Sequence, residues 1–119
     1  MVKQLLIVDD QPGIRALLKE LFSKDGFETR EAASGDEALK QIREKRPDLV
    51  ILDVKIPDMD GIDILKEIKQ YDKTIKVIMM RAYGELNVMN EVVREGAADY
   101  FLKPFDIHDI RSLVKNQLR

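Results

Sequence analysis

The sequence predicts an α/β protein: a doubly wound, five-stranded parallel sheet with helices on both faces. Three observations carry that reading. Five short aliphatic runs alternate with stretches whose apolar residues recur at helical spacing. Each run stops abruptly at charged or turn-forming residues. The chain of 119 residues has no linker or low-complexity segment, so residues 1–119 are expected to form one domain with a full core. Strands that alternate with amphipathic helices argue for a parallel sheet covered on both sides, and right-handed crossovers leave the doubly wound arrangement as the natural solution.

Gln4–Val8 is the first aliphatic run. It ends at Asp9-Asp10, and Pro12 then suits the first turn of a helix. Ile14, Leu17, Leu18, Leu21 and Phe22 fall on one face of that helix, which Gly26 closes. Phe27–Ala32 is the second strand. Ser34 and Glu37 have capping-box spacing at the start of a helix carrying Ala38, Leu39 and Ile42, which should stop before Pro47. Asp48–Leu52 is the third strand, with Asp53 at its tip. A turn containing Pro57, Asp58, Asp60 and Gly61 leads into a helix with Ile62, Leu65 and Ile68 inward. Ile75–Met80 is the fourth strand and ends at Arg81. Glu85–Glu95 reads as a helix with Leu86, Met89 and Val93 inward, closed by Gly96. Ala98–Leu102 is the fifth strand, ending at Lys103-Pro104. Asp106 caps a last helix with Ile107, Ile110, Val114 and Leu118 in register.

Composition narrows the function. A charged fraction of 35% beside a hydrophobic fraction of 45% is that of a folded soluble domain, not a disordered chain. A net charge of −2 gives no bulk electrostatic footprint for nucleic acid or membrane, so neither is expected as a direct partner. The absence of cysteine excludes disulfides, thiolate chemistry and cysteine-ligated metals. The apolar runs are far too short to span a bilayer, and strand-like sequence starts at once without a signal peptide, so a cytoplasmic monomer is expected.

In a parallel sheet all strands end on one edge, where open α/β folds carry their chemistry. That edge collects Asp9 and Asp10, Asp53, Arg81 and Lys103. Taken singly, these residues read as a turn residue, a helix cap or a solvated lysine. Together they place three carboxylates and two cations from four parts of the chain at one place. Carboxylates so close repel unless a cation lies between them. No His or Cys stands near, so the site is all oxygen and suits a hard divalent ion, Mg2+ above all. Asp53 is the candidate nucleophile for forming an acyl phosphate, and Lys103 a point charge for a phosphoryl oxygen. His108 reads as surface, and Met79, Met80 and Met89 as packing residues.

These residues resemble a known family. Asp9-Asp10, the run Leu52-Asp53-Val54-Lys55-Ile56-Pro57-Asp58-Met59-Asp60-Gly61, and Lys103-Pro104-Phe105 are similar to the motifs of the receiver domains of bacterial response regulators, over essentially the whole chain. Ile7–Gln11, Ala82–Leu86 and Lys103–Ile107 look most like the single-domain regulators of the sporulation phosphorelay of bacilli. The resemblance implies a (βα)5 flavodoxin-like receiver fold with strand order 2-1-3-4-5. It implies that Asp53 accepts a phosphoryl group from the phosphohistidine of a sensor histidine kinase and passes it to a four-helix-bundle histidine phosphotransferase. Such a protein catalyses only its own phosphorylation and dephosphorylation. Asp9, Asp10, Asp53 and the backbone carbonyl of Lys55 would hold Mg2+, and Lys103 would contact the phosphoryl group. The Lys103–Pro104 bond would be cis, Tyr100 would be the switch aromatic, and Lys55 and Tyr83 would tune the lifetime of the acyl phosphate. The docking surface would use Gln11, Gly13, Ile14, Leu17, Lys55, Tyr83, Pro104, Phe105 and Ile107. Helical periodicity alone favours a core role for Ile14, Leu17 and Ile107. The first helix nevertheless has a broad apolar arc, and Ile14 should be more exposed than Leu18 or Phe22.

One position departs from the family pattern. Arg81 stands where a Thr or Ser is usual, and its long charged fork cannot reproduce the hydroxyl contact. It would either swing outward, which its aliphatic stem favours, or enter the acidic pocket and compete with Mg2+. Four other readings compete. A haloacid-dehalogenase-type phosphohydrolase wants a second Asp where this chain has Lys55. A nucleotide or flavin binder wants a Gly-rich loop where this chain has Asp9-Asp10. A degenerate receiver that binds partners without phosphorylation is made possible by Arg81, and a receiver domain cut from a two-domain DNA-binding regulator is the fourth alternative.

Overall fold

A computed structural model describes residues 2–82 and 96–118, with the side chains of all of these but Arg81 and Ala82. The expected helix Glu85–Glu95 and Tyr83 lie outside the described residues. The elements are β1 (Gln4–Val8), α1 (Pro12–Lys24), β2 (Glu28–Ala32), α2 (Gly35–Glu44), β3 (Leu49–Asp53), β4 (Lys55–Ile56), β5 (Met59–Asp60), α3 (Gly61–Tyr71), β6 (Lys76–Ala82), β7 (Asp99–Lys103) and α4 (Ile107–Gln117). Five strands form one sheet in the order β2-β1-β3-β6-β7. All four pairings in it are parallel. Counting the strands of that sheet alone, this is the expected order 2-1-3-4-5.

Strand alternation builds the two faces of the core. Leu6 and Val8 of β1, Val50 and Leu52 of β3, and Val77 and Met79 of β6 pack with α2 and α3. Leu5 and Ile7, Leu49 and Ile51, and Ile78 and Met80 face α1 and α4. The central strands are buried on both faces, which is why they read as continuous aliphatic runs and not as alternating ones.

The helix ends follow local chemistry. α1 closes in a Schellman motif: Gly26, at φ +93°, donates its N–H to the Ser23 carbonyl and Phe27 donates to that of Phe22. The two aromatic rings then meet edge to face at 5.9 Å, sealing the motif with an apolar contact. Ser34 caps α2 by accepting from Glu37, while the Glu37 carboxylate reaches back to the Ala33 N–H. Asp60 and Asp106 cap α3 and α4. At the opposite end of the sheet Asp72 accepts from Thr74 and Arg46, which together hold its carboxyl down at about 2.

Four details differ from the sequence reading. β6 runs to Ala82, so Arg81 lies within the strand and not beyond it, paired in register with Leu102. A short antiparallel hairpin, β4–β5, replaces the plain turn after Asp53. Neither Asp9 nor Asp10 caps α1; Gln11 is at the N-cap, and Asp9 instead accepts the Gln11 N–H in the turn before it. Leu17 (40% exposed) and Ile107 (39%) are not core, because both fall on the outer flank of their helices. Ile14 is half-buried while Leu18 and Phe22 are fully buried, as expected.

Candidate functional site

The parallel sheet brings Asp9, Asp53 and Lys103 to one edge as predicted. Asp53 is the last residue of β3 and only 6% exposed; Asp9 follows β1 and is fully buried. Carboxylate oxygens of Asp9, Asp10 and Asp53 lie within 4.8 Å of one another, and Asp10 is the exposed member. Lys103, the last residue of β7, reaches across β6 and places Nζ 2.7 Å from Asp9 Oδ2 and 2.9 Å from Asp53 Oδ2. The Lys103–Pro104 bond is cis, as the resemblance implied.

The electrostatics follow from this geometry. Burial pushes the Asp53 carboxyl above its ordinary range; Lys103 pulls it down without restoring it, and Asp9 pushes it further up. Burial works against the Lys103 ammonium, but its hydrogen bonds to Asp9 and Asp53 outweigh that, and its pKa is raised. The lysine therefore stays charged while the acceptor candidate is reluctant to ionise alone. The three carboxylates form an all-oxygen donor set that fits a hard divalent cation, and a second positive charge would relieve the cost of ionising Asp53.

The loop after Asp53 is held from several directions. The Lys55 N–H donates to Asp53 Oδ1 at 3.2 Å, and the Val54 N–H donates to the Met80 carbonyl at 2.8 Å. Gly61 donates to the Val54 carbonyl at 2.8 Å, so the start of α3 rests directly on the acceptor strand. Asp58 accepts from the Gly35 and Asp36 N–H groups at 2.9 and 3.1 Å and thereby caps α2 from the loop. Those two amides hold its carboxyl below the usual range. Sequence reasoning placed Asp58 only in a turn; a cap contributed from 22 or 23 positions away has no local signal.

The remaining predicted residues are spread around this edge. Gln11, Gly13, Lys55 and Pro104 are exposed, and Tyr100 and Phe105 are half-buried. Tyr100 packs against the core face that α2 and α3 cover. The Phe105 ring meets Phe101 edge to face at 5.3 Å. Leu17 and Ile107 belong to α1 and α4, which cover the same face of the sheet. The side chain of Arg81, like Tyr83, lies outside the described residues. Arg15, which the sequence reading did not single out, donates from Nη1 to the Asp9 carbonyl at 2.7 Å.

A buried Asp at a strand tip, two neighbouring carboxylates and a lysine that bridges Asp9 and Asp53, all on a five-stranded doubly wound sheet, have the layout of a phospho-acceptor signalling module. The family model for the response regulator receiver domain matches residues 5–115, and the chain belongs to that family. As a receiver it is not a conventional enzyme. It is 54% identical over 118 residues to sporulation initiation phosphotransferase F of Bacillus subtilis, covering 99% of this chain and 95% of that one. It is 39% identical to the regulatory protein AtoC of Escherichia coli over 99% of this chain, but spans only 26% of that longer protein. Among solved structures, a CheY-like response regulator receiver domain protein from Methanospirillum hungatei superposes with a TM-score of 0.95 at 30% identity, over 99% of this chain and 94% of that one. Among the described residues no helix is long and apolar enough to cross a membrane.

Proposed function

We propose that this chain is the receiver of a phosphorelay that serves sporulation control, taking a phosphoryl group on Asp53 from a sensor histidine kinase and yielding it to a four-helix-bundle histidine phosphotransferase. The observation that carries this reading is the convergence of Asp9, Asp10, Asp53 and Lys103 at one sheet edge. Likeness to sporulation initiation phosphotransferase F supports the relay. A carboxylate oxygen of Asp53 attacks the phosphorus of phosphohistidine; the new O–P bond forms as the P–N bond breaks, and the electron pair returns to the imidazole nitrogen. Lys103 Nζ, already 2.9 Å from Asp53, turns to an oxygen of the incoming group, and the Lys55 N–H, which donates to Asp53 Oδ1, would donate to a second. Asp9, Asp10, Asp53 and the Lys55 carbonyl would hold Mg2+, and such an ion would supply positive charge to offset that of the phosphoryl oxygens. Tyr100 serves as the switch aromatic.

The test is incubation with a small phosphodonor and Mg2+, read by intact mass. Wild type should gain one phosphoryl group. If it gains none while Arg81→Thr does, the chain is a degenerate receiver, held back by the arginine, that acts by binding. Mg2+ titration of the same pair places Arg81: equal affinity leaves it outside the pocket, and tighter binding by Arg81→Thr shows competition.

The docking surface for both partners is the edge formed by Gln11, Gly13, Ile14, Leu17, Lys55, Pro104, Phe105 and Ile107, and Tyr83 joins this set on the family resemblance alone. Exposed Leu17 and Ile107 are apolar groups with no core role, the kind of residue an interface uses. Leu17→Ala should slow phosphotransfer from a kinase at least tenfold while shifting the thermal midpoint by less than about 2 °C, since exposed truncations change stability little. An equal slowing with a small phosphodonor would place the defect in the chemistry and not in docking.

A further inference from the structure

Of the three carboxylates, Asp10 has the weakest hold. Asp9 and Asp53 are buried and share Lys103, and each accepts a backbone N–H two residues on. Asp10 is exposed, and its carboxylate makes no hydrogen bond or ion pair with another described residue. Its direction is therefore set by the main chain. The peptide joining Asp9 to Asp10 is gripped at its carbonyl, where Arg15 Nη1 donates to Asp9 O at 2.7 Å. The Asp9 N–H donates to the Ala32 carbonyl at 3.2 Å, which fixes the other side of that residue. Arg15 is itself steered: its Nε donates to Glu31 Oε1 at 3.2 Å, and Lys19 holds the second Glu31 oxygen at 3.3 Å. The Arg15 side chain is only 17% exposed, so this contact is shielded from solvent. A line of contacts thus runs from β2 through α1 to the one peptide that aims Asp10.

We infer that Arg15, backed by Glu31, is a positioning residue for the cation site, fixing the Asp9–Asp10 peptide so that the Asp10 carboxylate meets those of Asp9 and Asp53. The inference rests on the reading that this cluster holds Mg2+. It makes a prediction opposite in sign to simple electrostatics. Removing a guanidinium from beside a dication site removes repulsion, which by Coulomb's law alone tightens binding. Loss of an orienting outer contact weakens metal affinity, typically tenfold or more.

The experiment is a Mg2+ titration of wild type, Arg15→Ala and Arg15→Lys, followed by amide chemical shifts, with the metal-free thermal midpoint of each recorded. Arg15→Ala should bind Mg2+ about tenfold more weakly. Arg15→Lys should fall between, because one ammonium can reach the carbonyl but cannot also hold Glu31 in a fork. In an Asp10→Ala background the Arg15→Ala change should cost no further affinity, since nothing is left to aim. If Arg15→Ala does not fold, Glu31→Gln, which keeps the shape and loosens the arginine, should show the same weakening in reduced degree. Affinity in Arg15→Ala that is unchanged or tighter overturns the inference, even where its midpoint falls, as does a full tenfold loss persisting without Asp10. A wild type that binds no Mg2+ overturns the magnesium reading itself and this inference with it.

Discussion

Replacing Asp53 with Asn is expected to abolish the gain of a phosphoryl group and to raise the thermal midpoint of the metal-free protein at neutral pH. Both effects come from the same carboxylate. Asn has the shape of Asp but no anionic oxygen, so it cannot attack phosphorus. The stability effect follows from the raised pKa of Asp53, whose first cause is burial. A carboxyl that titrates higher in the folded than in the unfolded chain makes the folded state bind its proton more tightly. The stability so gained is complete below the ordinary value of 3.8 and is lost as pH rises through the elevated folded value. At neutral pH the ionised group is therefore a cost that Asn removes. Lys103 keeps its 2.7 Å bond to Asp9 and so retains a partner. Its own pKa is raised, so its contribution is intact at neutral pH and lost only in strong alkali, above the ordinary 10.5. The midpoint should rise by about 2–5 °C, on the order of 1 kcal/mol for a domain of this size. Mg2+ should stabilise wild type more than the variant. A midpoint that falls in Asp53→Asn would mean that the Lys103 contact outweighs desolvation.

Gly61→Ala is expected to impair both stability and phosphorylation. A Cβ on Gly61 would lie 2.5 Å from the Val54 carbonyl oxygen, 2.6 Å from Val54 Cα and 2.7 Å from the Asp53 carbonyl oxygen. All three are backbone atoms, so no side chain can turn aside. Either α3 moves away from the sheet or the acceptor strand shifts at its tip, and the 2.8 Å bond from Gly61 to Val54 lengthens. Overpacking of this kind costs about 1–3 kcal/mol or more. A displacement of about 1 Å at a reacting group slows chemistry by roughly a hundredfold. Urea denaturation should show the loss of stability, and the rate with a small phosphodonor should fall by that order at saturating Mg2+. Gly35→Ala is the control: its Cβ would press on the side chains of Ile64 and Met59, which can adjust, and it should be much milder. Equal behaviour of the two variants would show that contact with the Asp53–Val54 backbone is not what makes Gly61 necessary.

Much of this was legible in the sequence for a physical reason. Buried parallel strands must be nearly all aliphatic, so Leu5–Val8, Leu49–Leu52 and Val77–Met80 announce themselves. Parallel topology then places the residues that end each run, Asp9, Asp53 and Lys103, on a common edge without further information. Local caps such as Ser34 and Asp106 were readable because donor and acceptor lie within three residues. What was hidden depends on contacts between distant segments. Arg15 looked like any polar residue on a helix, because its partner Glu31 lies 16 residues away on another element. Leu17 and Ile107 kept helical register with core residues, and only the width of each buried face decides that they are outside it. The β4–β5 hairpin is two residues on each side, too short for any periodicity to register.

The Asp58 carboxylate gives the acceptor loop a mechanical consequence. Its two oxygens take the first two amides of α2, while the Gly61 N–H closes the loop onto the Val54 carbonyl, next to the end of β3. A loop clamped at both ends cannot swing freely when its middle is displaced. Any movement that a new charge on Asp53 imposes on residues 54–60 must bend the hairpin, slide α2 along β2 or break the Asp58 clamp. α2 and β2 form the edge of the fold farthest from Lys103, so strain arising at the acceptor has a route away from the docking edge as well as toward it.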